Sequence, residues 1–132
     1  MKRFFLICFG GALGTGGRYL LSTWVAQTFG SGFPLGTLLI NISGSFIISV
    51  VMELSLSTGA ISQDARLFLT TGMMGGYTTY SSFNYETLKL ASQGAYQTAA
   101  LYVSLTLVGA TVAGYLGLVA VRELTSIGIR FG

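Results

Sequence analysis

The chain has 132 residues, of which 52% are hydrophobic and 8% are charged, and its formal net charge is +3. Because a soluble domain carries about 25% charged residues, this composition excludes a soluble globular protein and predicts that lipid surrounds most of the surface. One cysteine, no histidine and no basic cluster exclude disulfide frameworks, Cys/His metal sites and nucleic-acid binding.

Four stretches of the chain are long enough to cross a membrane as helices, which requires about 20 mostly apolar residues. The predicted spans are residues 3–28, 34–57, 64–91 and 96–121. The first span is longer than the apolar core of a secretory signal, so we expect it to be retained. Short connections predict one all-α transmembrane domain over residues 1–132, with consecutive helices antiparallel and both termini on one side.

Basic residues are distributed unequally between the two sides of the predicted bundle. Those on the side of the termini are Lys2, Arg3, Arg66, Arg122 and Arg130, whereas Lys89 lies near the other side. This asymmetry predicts that the termini lie in the cytoplasm. Arg18 lies within the first span, and a charge at that depth is a candidate functional residue.

The third span is predicted to break between Gly75 and Thr79. Two glycines followed by threonines and aromatic residues make a poor lipid-facing helix. Irregular backbone at membrane depth survives only inside protein or beside a cavity. The break would free backbone carbonyls that suit a small cation such as sodium, and a simple kink is the alternative.

Polar and aromatic side chains near the break are the candidate site residues. Asn41 shares one face of the second span with Thr37 and Ser45. Its amide must find a partner at that depth, either on a neighbouring helix or in a bound anion. Tyr80 and Phe83 share a face of the third span. Their rings either pack as ordinary core or turn their positively polarised edges toward an anion.

Two further features have both a structural and a functional interpretation. Glu86 and Lys89 are three residues apart, and we expect an ion pair between them near the interface. Gly10 and Gly14 are four apart, a spacing that permits close packing either inside the protomer or at a dimer seam. We expect no enzyme, because the chain has no histidine, no paired carboxylates and no phosphate-binding glycine loop.

At these positions the chain resembles the small fluoride channels called Fluc or CrcB, over essentially its whole length. The shared motifs are Gly-Gly-Ala-Leu-Gly-x-Gly-Gly-Arg in the first span, Pro34–Leu38 leading to Asn41, and the run Gly75–Phe83. The resemblance implies an antiparallel, dual-topology homodimer in the cell inner membrane, with two fluoride pores along the subunit interface. The implied function is passive export of fluoride from the cytoplasm, and hence fluoride resistance.

The resemblance also assigns roles to particular residues. Asn41 would be the pore asparagine, and Tyr80 and Phe83 would be the two ring positions that flank fluoride. The hydroxyl-lined track and the first-helix arginine would be Ser81, Ser82, Tyr102, Thr106 and Arg18. The carbonyl oxygens of Gly75 and Thr78, taken from both subunits, would hold a structural sodium ion.

The chain departs from this family pattern in two ways. The first ring position is usually phenylalanine, and here it is Tyr80. The bias of basic residues toward one side is also stronger than dual-topology proteins usually show. The subunit would therefore pair either with a second copy despite the bias or with an oppositely inserted relative, and we expect the homodimer.

Two other functions are compatible with four short membrane helices. A small multidrug exporter of similar architecture exchanges protons for cationic substrates at a glutamate in helix 1, and the first span of this chain has no acidic residue. A non-transporting scaffold subunit would explain the packing glycines. It would not explain why polar and aromatic residues converge on the predicted break.

Overall fold

The structure is a computed structural model that describes residues 1–128, and within this range it contains helices and no strand. The helices are α1 (Lys2–Phe29), α2 (Leu35–Thr58), α3 (Gln63–Leu67), a π-helix (Phe68–Met74), α4 (Gly75–Tyr77), α5 (Tyr80–Ser92) and α6 (Tyr96–Ser126). These bounds lie close to the predicted spans, and α6 extends beyond its predicted end at residue 121.

Three helices among the described residues are long and apolar enough to cross a membrane: Lys2–Phe29, Leu35–Thr58 and Tyr96–Ser126. Their outward faces carry large apolar side chains, including Phe4, Trp24 and Leu116, that are more than half exposed. Such a surface is stable in lipid and not in water. The chain is therefore an all-helical membrane protein, as its composition predicted. The elements from α3 to α5 (Gln63–Ser92) form an interrupted third segment, and that this segment makes a fourth crossing stays a prediction.

Helix α1 packs directly on the third segment through small residues on both sides. A Cβ atom at Gly10 would lie 2.7 Å from the Phe68 carbonyl oxygen, and one at Gly72 would lie 2.9 Å from the Ile7 carbonyl oxygen. A Cβ at Gly14 would overlap the backbone of Met73. Gly10 and Gly14 therefore serve packing inside the protomer, which decides between the two roles that their spacing left open.

Helices α2 and α6 form the second close pair. A Cβ at Gly109 would lie 2.8 Å from Ile42, and one at Gly117 would lie 3.3 Å from Val50. From the first contact to the second, the residue numbers increase along both helices, so α2 and α6 run in the same direction. The arrangement follows from the short connections, which reverse the chain between consecutive segments.

Charged residues collect at the end of the protein that holds the N-terminus. Asp64 accepts hydrogen bonds from Lys2 at 3.2 Å and Arg3 at 3.0 Å. Glu53 accepts from Arg122 at 2.9 Å. Lys2, Arg3 and Arg122, which are predicted on the side of the termini, thus lie at one end of the structure. Arg130, predicted on the same side, lies outside the described residues. The basic side chain of each pair is more than half exposed, so solvent screens these interactions.

Candidate functional site

The predicted break in the third segment lies at Thr78 and Thr79, which connect α4 to α5 in extended conformation. Their φ/ψ angles are −78°/156° and −152°/114°. A Cβ at Gly44 of α2 would overlap the Thr78 side chain, so glycine lets this extended connection lie against α2 without displacing that side chain. The backbone therefore leaves helical geometry inside the protein, where it is shielded from lipid.

Asn41 forms hydrogen bonds with both backbone polar groups of Thr79 at this break. Its Nδ2 donates to the Thr79 carbonyl oxygen at 3.1 Å, and its Oδ1 accepts from the Thr79 backbone N–H at 2.9 Å. Of the two interpretations of Asn41 that the sequence allowed, the bond to a neighbouring segment is present. The amide has two N–H donors, so one donor remains beyond the bond to Thr79.

Thr79 caps the N-terminus of helix α5 with its hydroxyl. Thr79 Oγ1 accepts from the Ser82 backbone N–H at 3.2 Å, and lies 3.2 Å and 3.1 Å from the hydroxyls of Ser81 and Ser82. A threonine in this N-cap position satisfies a backbone donor that has no helical partner. Ser81 and Ser82, predicted track residues, thus form a small cluster with Thr79 directly beside Asn41.

Two backbone carbonyls lose their helical donors because of these side chains. In an unbroken helix the Thr79 N–H would donate to the Gly75 carbonyl and the Ser82 N–H to the Thr78 carbonyl. Here the first N–H donates to Asn41 and the second to Thr79 Oγ1. The carbonyl oxygens of Gly75 and Thr78 are the two that the family resemblance singled out for a cation.

Three aromatic rings form a continuous series from the surface into the core. The ring centroids of Tyr80 and Phe83 are 5.7 Å apart, and those of Phe83 and Tyr102 are 5.2 Å apart. Tyr80 is 76% exposed, Phe83 is 7% exposed and Tyr102 is fully buried. Tilted rings at these distances pack favourably, so the inner ring fixes the position of the Phe83 ring.

Glu86 has partners other than the one predicted. Its Oε1 accepts from the Thr37 hydroxyl at 2.8 Å, and its Oε2 accepts from the Tyr102 hydroxyl at 2.6 Å. No ion pair joins Glu86 to Lys89 within residues 1–128, so the predicted i,i+3 pair is wrong. The two hydroxyls come from α2 and α6. Two hydrogen bonds stabilise the Glu86 carboxylate more than an ion pair with one partly solvated ammonium group would.

A groove of about 320 Å³ lies beside the break. The predicted site residues Asn41, Tyr80, Phe83, Thr78 and Thr106 line it, together with Gly44, Ser45, Ile48, Met74, Thr79, Leu107, Ala110 and Thr111. Its lining combines amide and hydroxyl groups with ring surfaces, and within residues 1–128 it includes no charged side chain. Such a lining can hold a small polar or anionic species weakly.

Other predicted site residues lie near the groove or outside it. Tyr102 lies behind Phe83, where its hydroxyl is bonded to Glu86. The Thr106 hydroxyl donates to the Tyr102 carbonyl at 2.8 Å, as threonine hydroxyls in helices often do. Arg18 is half-buried on α1 and does not line the groove, and within the described residues its guanidinium has no hydrogen-bond partner.

A second, larger cavity of about 500 Å³ opens at the end of the protein opposite the N-terminus. Glu86, Thr37 and Lys89 line it, with Gln93 and the loop that connects α1 to α2. Glu86 thus lies between this cavity and the aromatic series. One signal in the sequence could have indicated this position, a single acidic residue three places after Phe83.

Comparisons with known proteins agree with the motifs. Residues 5–118 match the family model described as CrcB-like protein, Camphor Resistance (CrcB). A protein of Anaeromyxobacter sp. (strain K) named fluoride-specific ion channel FluC is 53% identical over 124 residues, which are 94% of this chain and 98% of the relative.

Two other relatives carry the same name. The protein of Sorangium cellulosum is 47% identical over 124 residues, with 94% of this chain and 98% of the relative covered. A protein from one strain of Thermus thermophilus is 49% identical over 102 residues, with 77% of this chain and 80% of the relative covered. The chain therefore belongs to the CrcB family.

Proposed function

We propose that this protein is a fluoride-selective ion channel that lets fluoride leave the cytoplasm by passive electrodiffusion. Relatives matched over nearly their full length are named fluoride-specific ion channels. Ion channels are not enzymes, and the chain is not an enzyme. The observation that carries the proposal is the groove beside the break, which brings Asn41, Tyr80 and Phe83 together without a charged side chain among the described residues.

The chemistry of the groove suits a small anion that has to move on. The second N–H of the Asn41 amide is a neutral donor, and aromatic ring edges carry a partial positive charge. Both attract fluoride more weakly than a lysine or arginine would. Conduction needs binding that is favourable enough for the ion to enter and weak enough for it to leave, and this lining provides both conditions.

The pathway is completed by a second subunit in our proposal. Tyr80 is 76% exposed at the rim of the groove, and Leu107, also on the rim, is 56% exposed. A partner of the same sequence, inserted in the opposite orientation, would cover this rim and provide a second groove related by two-fold symmetry. The assembly would be an antiparallel homodimer with two fluoride pathways in the inner membrane.

A structural sodium ion is the proposed cofactor of this dimer. The carbonyl oxygens of Gly75 and Thr78 have lost their helical donors at the break. Carbonyls of unwound membrane helices are common sodium ligands, and the same two carbonyls of an antiparallel partner would double the set. The residues present therefore fit the ion. Its positive charge would offset the partial negative charges of the carbonyl oxygens that the two subunits bring together at the dimer axis.

The small multidrug exporter explains the site less well. Proton exchange for a cation requires an acidic group in the first helix of that family, and α1 from Lys2 to Phe29 contains none. Glu86 follows the groove residue Phe83 by three positions, and its carboxylate is already bonded to two hydroxyls.

Growth of a bacterial strain without its own fluoride exporter tests the proposed function. Expression of this chain should restore growth in fluoride, and Phe83→Ile should not restore it at equal expression. Failure of the wild-type chain to protect, despite its presence in the membrane, would contradict the proposal.

Accessibility of a single cysteine tests the proposed orientation. In a Cys8→Ser background, Ser31→Cys places a thiol in the exposed loop between α1 and α2. Dual topology predicts labelling of about half of the molecules from outside the cell. Labelling of all or none would show a single orientation and would favour pairing with an oppositely inserted relative.

A further inference from the structure

We infer that Asn41 is the positioning residue that keeps the cation site open, so that one amide couples the sodium site to the fluoride groove. This inference rests on the proposed function, because it names the part of the chain that links the two ions. It assigns Asn41 a second role, beyond donating to an anion, and that role acts through the Thr79 peptide.

The Asn41 side chain pairs with both polar groups of the Thr79 backbone. Asn41 donates to the Thr79 carbonyl and accepts from the Thr79 N–H, at 3.1 Å and 2.9 Å. Thr79 is buried. Its two backbone groups therefore depend on Asn41, since an unpaired buried amide is costly.

The consequence for the cation site follows from what the Thr79 N–H would otherwise do. Without an acceptor on Asn41, this N–H has a ready partner in the Gly75 carbonyl, four residues earlier. That bond would extend α4 by one residue and withdraw the Gly75 oxygen from a cation. Asn41 thus competes with the helix for one donor and leaves the carbonyl free.

The consequence for the groove follows from the same contact. Asn41, Thr79 and Tyr80 all line the groove, and Tyr80 is the first residue of α5. If the Thr79 peptide rotates to rebuild the helix, the start of α5 moves and the Tyr80 ring moves with it. Loss of the Asn41 contacts is therefore expected to weaken sodium binding and fluoride flux together.

Two kinds of substitution separate these effects. Asn41→Leu keeps the branched skeleton of the side chain but removes both hydrogen bonds, and Asn41→Ala removes both the hydrogen bonds and the side-chain skeleton. Asn41→Asp loses the donor to the Thr79 carbonyl but keeps an acceptor for the Thr79 N–H, the contact that leaves the Gly75 carbonyl free, and it places a negative charge in the anion path. We expect Leu and Ala to lose both sodium binding and flux, and Asp to lose flux while sodium binding is kept.

The test is sodium titration of the purified dimer by calorimetry, with N-methylglucamine as the replacement cation, alongside fluoride efflux. The apparent sodium Kd should weaken about tenfold or more in Asn41→Leu, the scale expected for loss of one competing hydrogen bond. Ser49→Ala, two turns along the same face of α2, is the matched control and should keep the wild-type Kd.

A carbonyl signal gives a readout that does not depend on transport. Labelling glycine with both ¹³C at the carbonyl and ¹⁵N selects the Gly–Gly peptides, which are residues 10–11, 16–17 and 75–76. The Gly75 carbonyl shift should respond to the same sodium concentrations in the wild type and in Asn41→Asp, and should need sodium concentrations about tenfold higher or more in Asn41→Leu and Asn41→Ala.

The outcomes distinguish this inference from the proposed function. Wild-type sodium affinity in folded Asn41→Leu would overturn the inference even if fluoride still flows, as would a wild-type Gly75 carbonyl that ignores sodium. Loss of sodium binding in Asn41→Leu, when the wild-type protein binds sodium but passes no fluoride, would support the inference and contradict the function.

Discussion

The Tyr102 hydroxyl donates to Glu86 Oε2 at 2.6 Å, although the two residues belong to different helices and Tyr102 is fully buried. This bond, with the one from Thr37, joins α2, α5 and α6 at a single carboxylate. The carboxylate also lies beside the ring series that includes Phe83. A short bond to a carboxylate in a shielded position is stronger than a neutral one.

Tyr102→Phe is expected to destabilise the protein by about 1.5–3 kcal/mol, since hydrogen bonds to charged groups contribute on that scale. Reversible unfolding in mixed micelles measures the change. Tyr115→Phe on the same helix is the control, because Tyr115 is 66% exposed. Equal stability of the two variants would show that the Glu86 contact contributes nothing.

Gly14→Ala is expected to destabilise the protein by about 1–3 kcal/mol, the usual cost of overpacking. The added methyl group would overlap the Met73 backbone, whereas a Cβ at Gly16 would have no heavy atom within 4 Å. Gly16→Ala on the same helix should therefore cause no loss of stability. The same unfolding assay decides, and a loss confined to Gly16→Ala would mean that α1 packs on the third segment through a different face.

Phe83→Ile is expected to reduce fluoride flux by about tenfold or more, a change that corresponds to about 1.4 kcal/mol, because the groove loses a positively polarised ring edge. Dimer content by size exclusion should stay constant. Phe4→Ile, at a ring that is 62% exposed on α1, should conduct like the wild type. Full flux through the Phe83 variant would remove the ring edge from the mechanism.

Tyr80→Phe is expected to keep fluoride flux within about twofold of the wild type, because the ring edge remains and the Tyr80 hydroxyl has no hydrogen-bond partner among the described residues. Stopped-flow efflux measures it. A large loss of flux would show that the hydroxyl itself contacts the permeating ion.

Local sequence patterns predicted the features that depend on neighbouring residues. Hydropathy located the helices, and the glycine pair before two threonines indicated a break that the structure has at Thr78 and Thr79. Both signals arise within one turn or one span, so no knowledge of the tertiary arrangement was needed.

Contacts between distant parts of the chain explain what the sequence did not predict. The spacing of Glu86 and Lys89 favoured a local ion pair, but the partners of Glu86 are 49 and 16 residues away. The partner of Asn41 was open for the same reason, since Thr79 is 38 residues later. Local spacing cannot rank a short-range partner against one that only folding brings near.

Fluoride efflux from liposomes that hold the purified protein measures the proposed channel activity itself. A fluoride electrode follows release after a potassium ionophore is added, and a chloride electrode provides the control in matched vesicles. We expect rapid release of fluoride without release of chloride, and loss of the fluoride release in Phe83→Ile. Absence of fluoride release from well-folded dimers, or equal release of chloride, would contradict it.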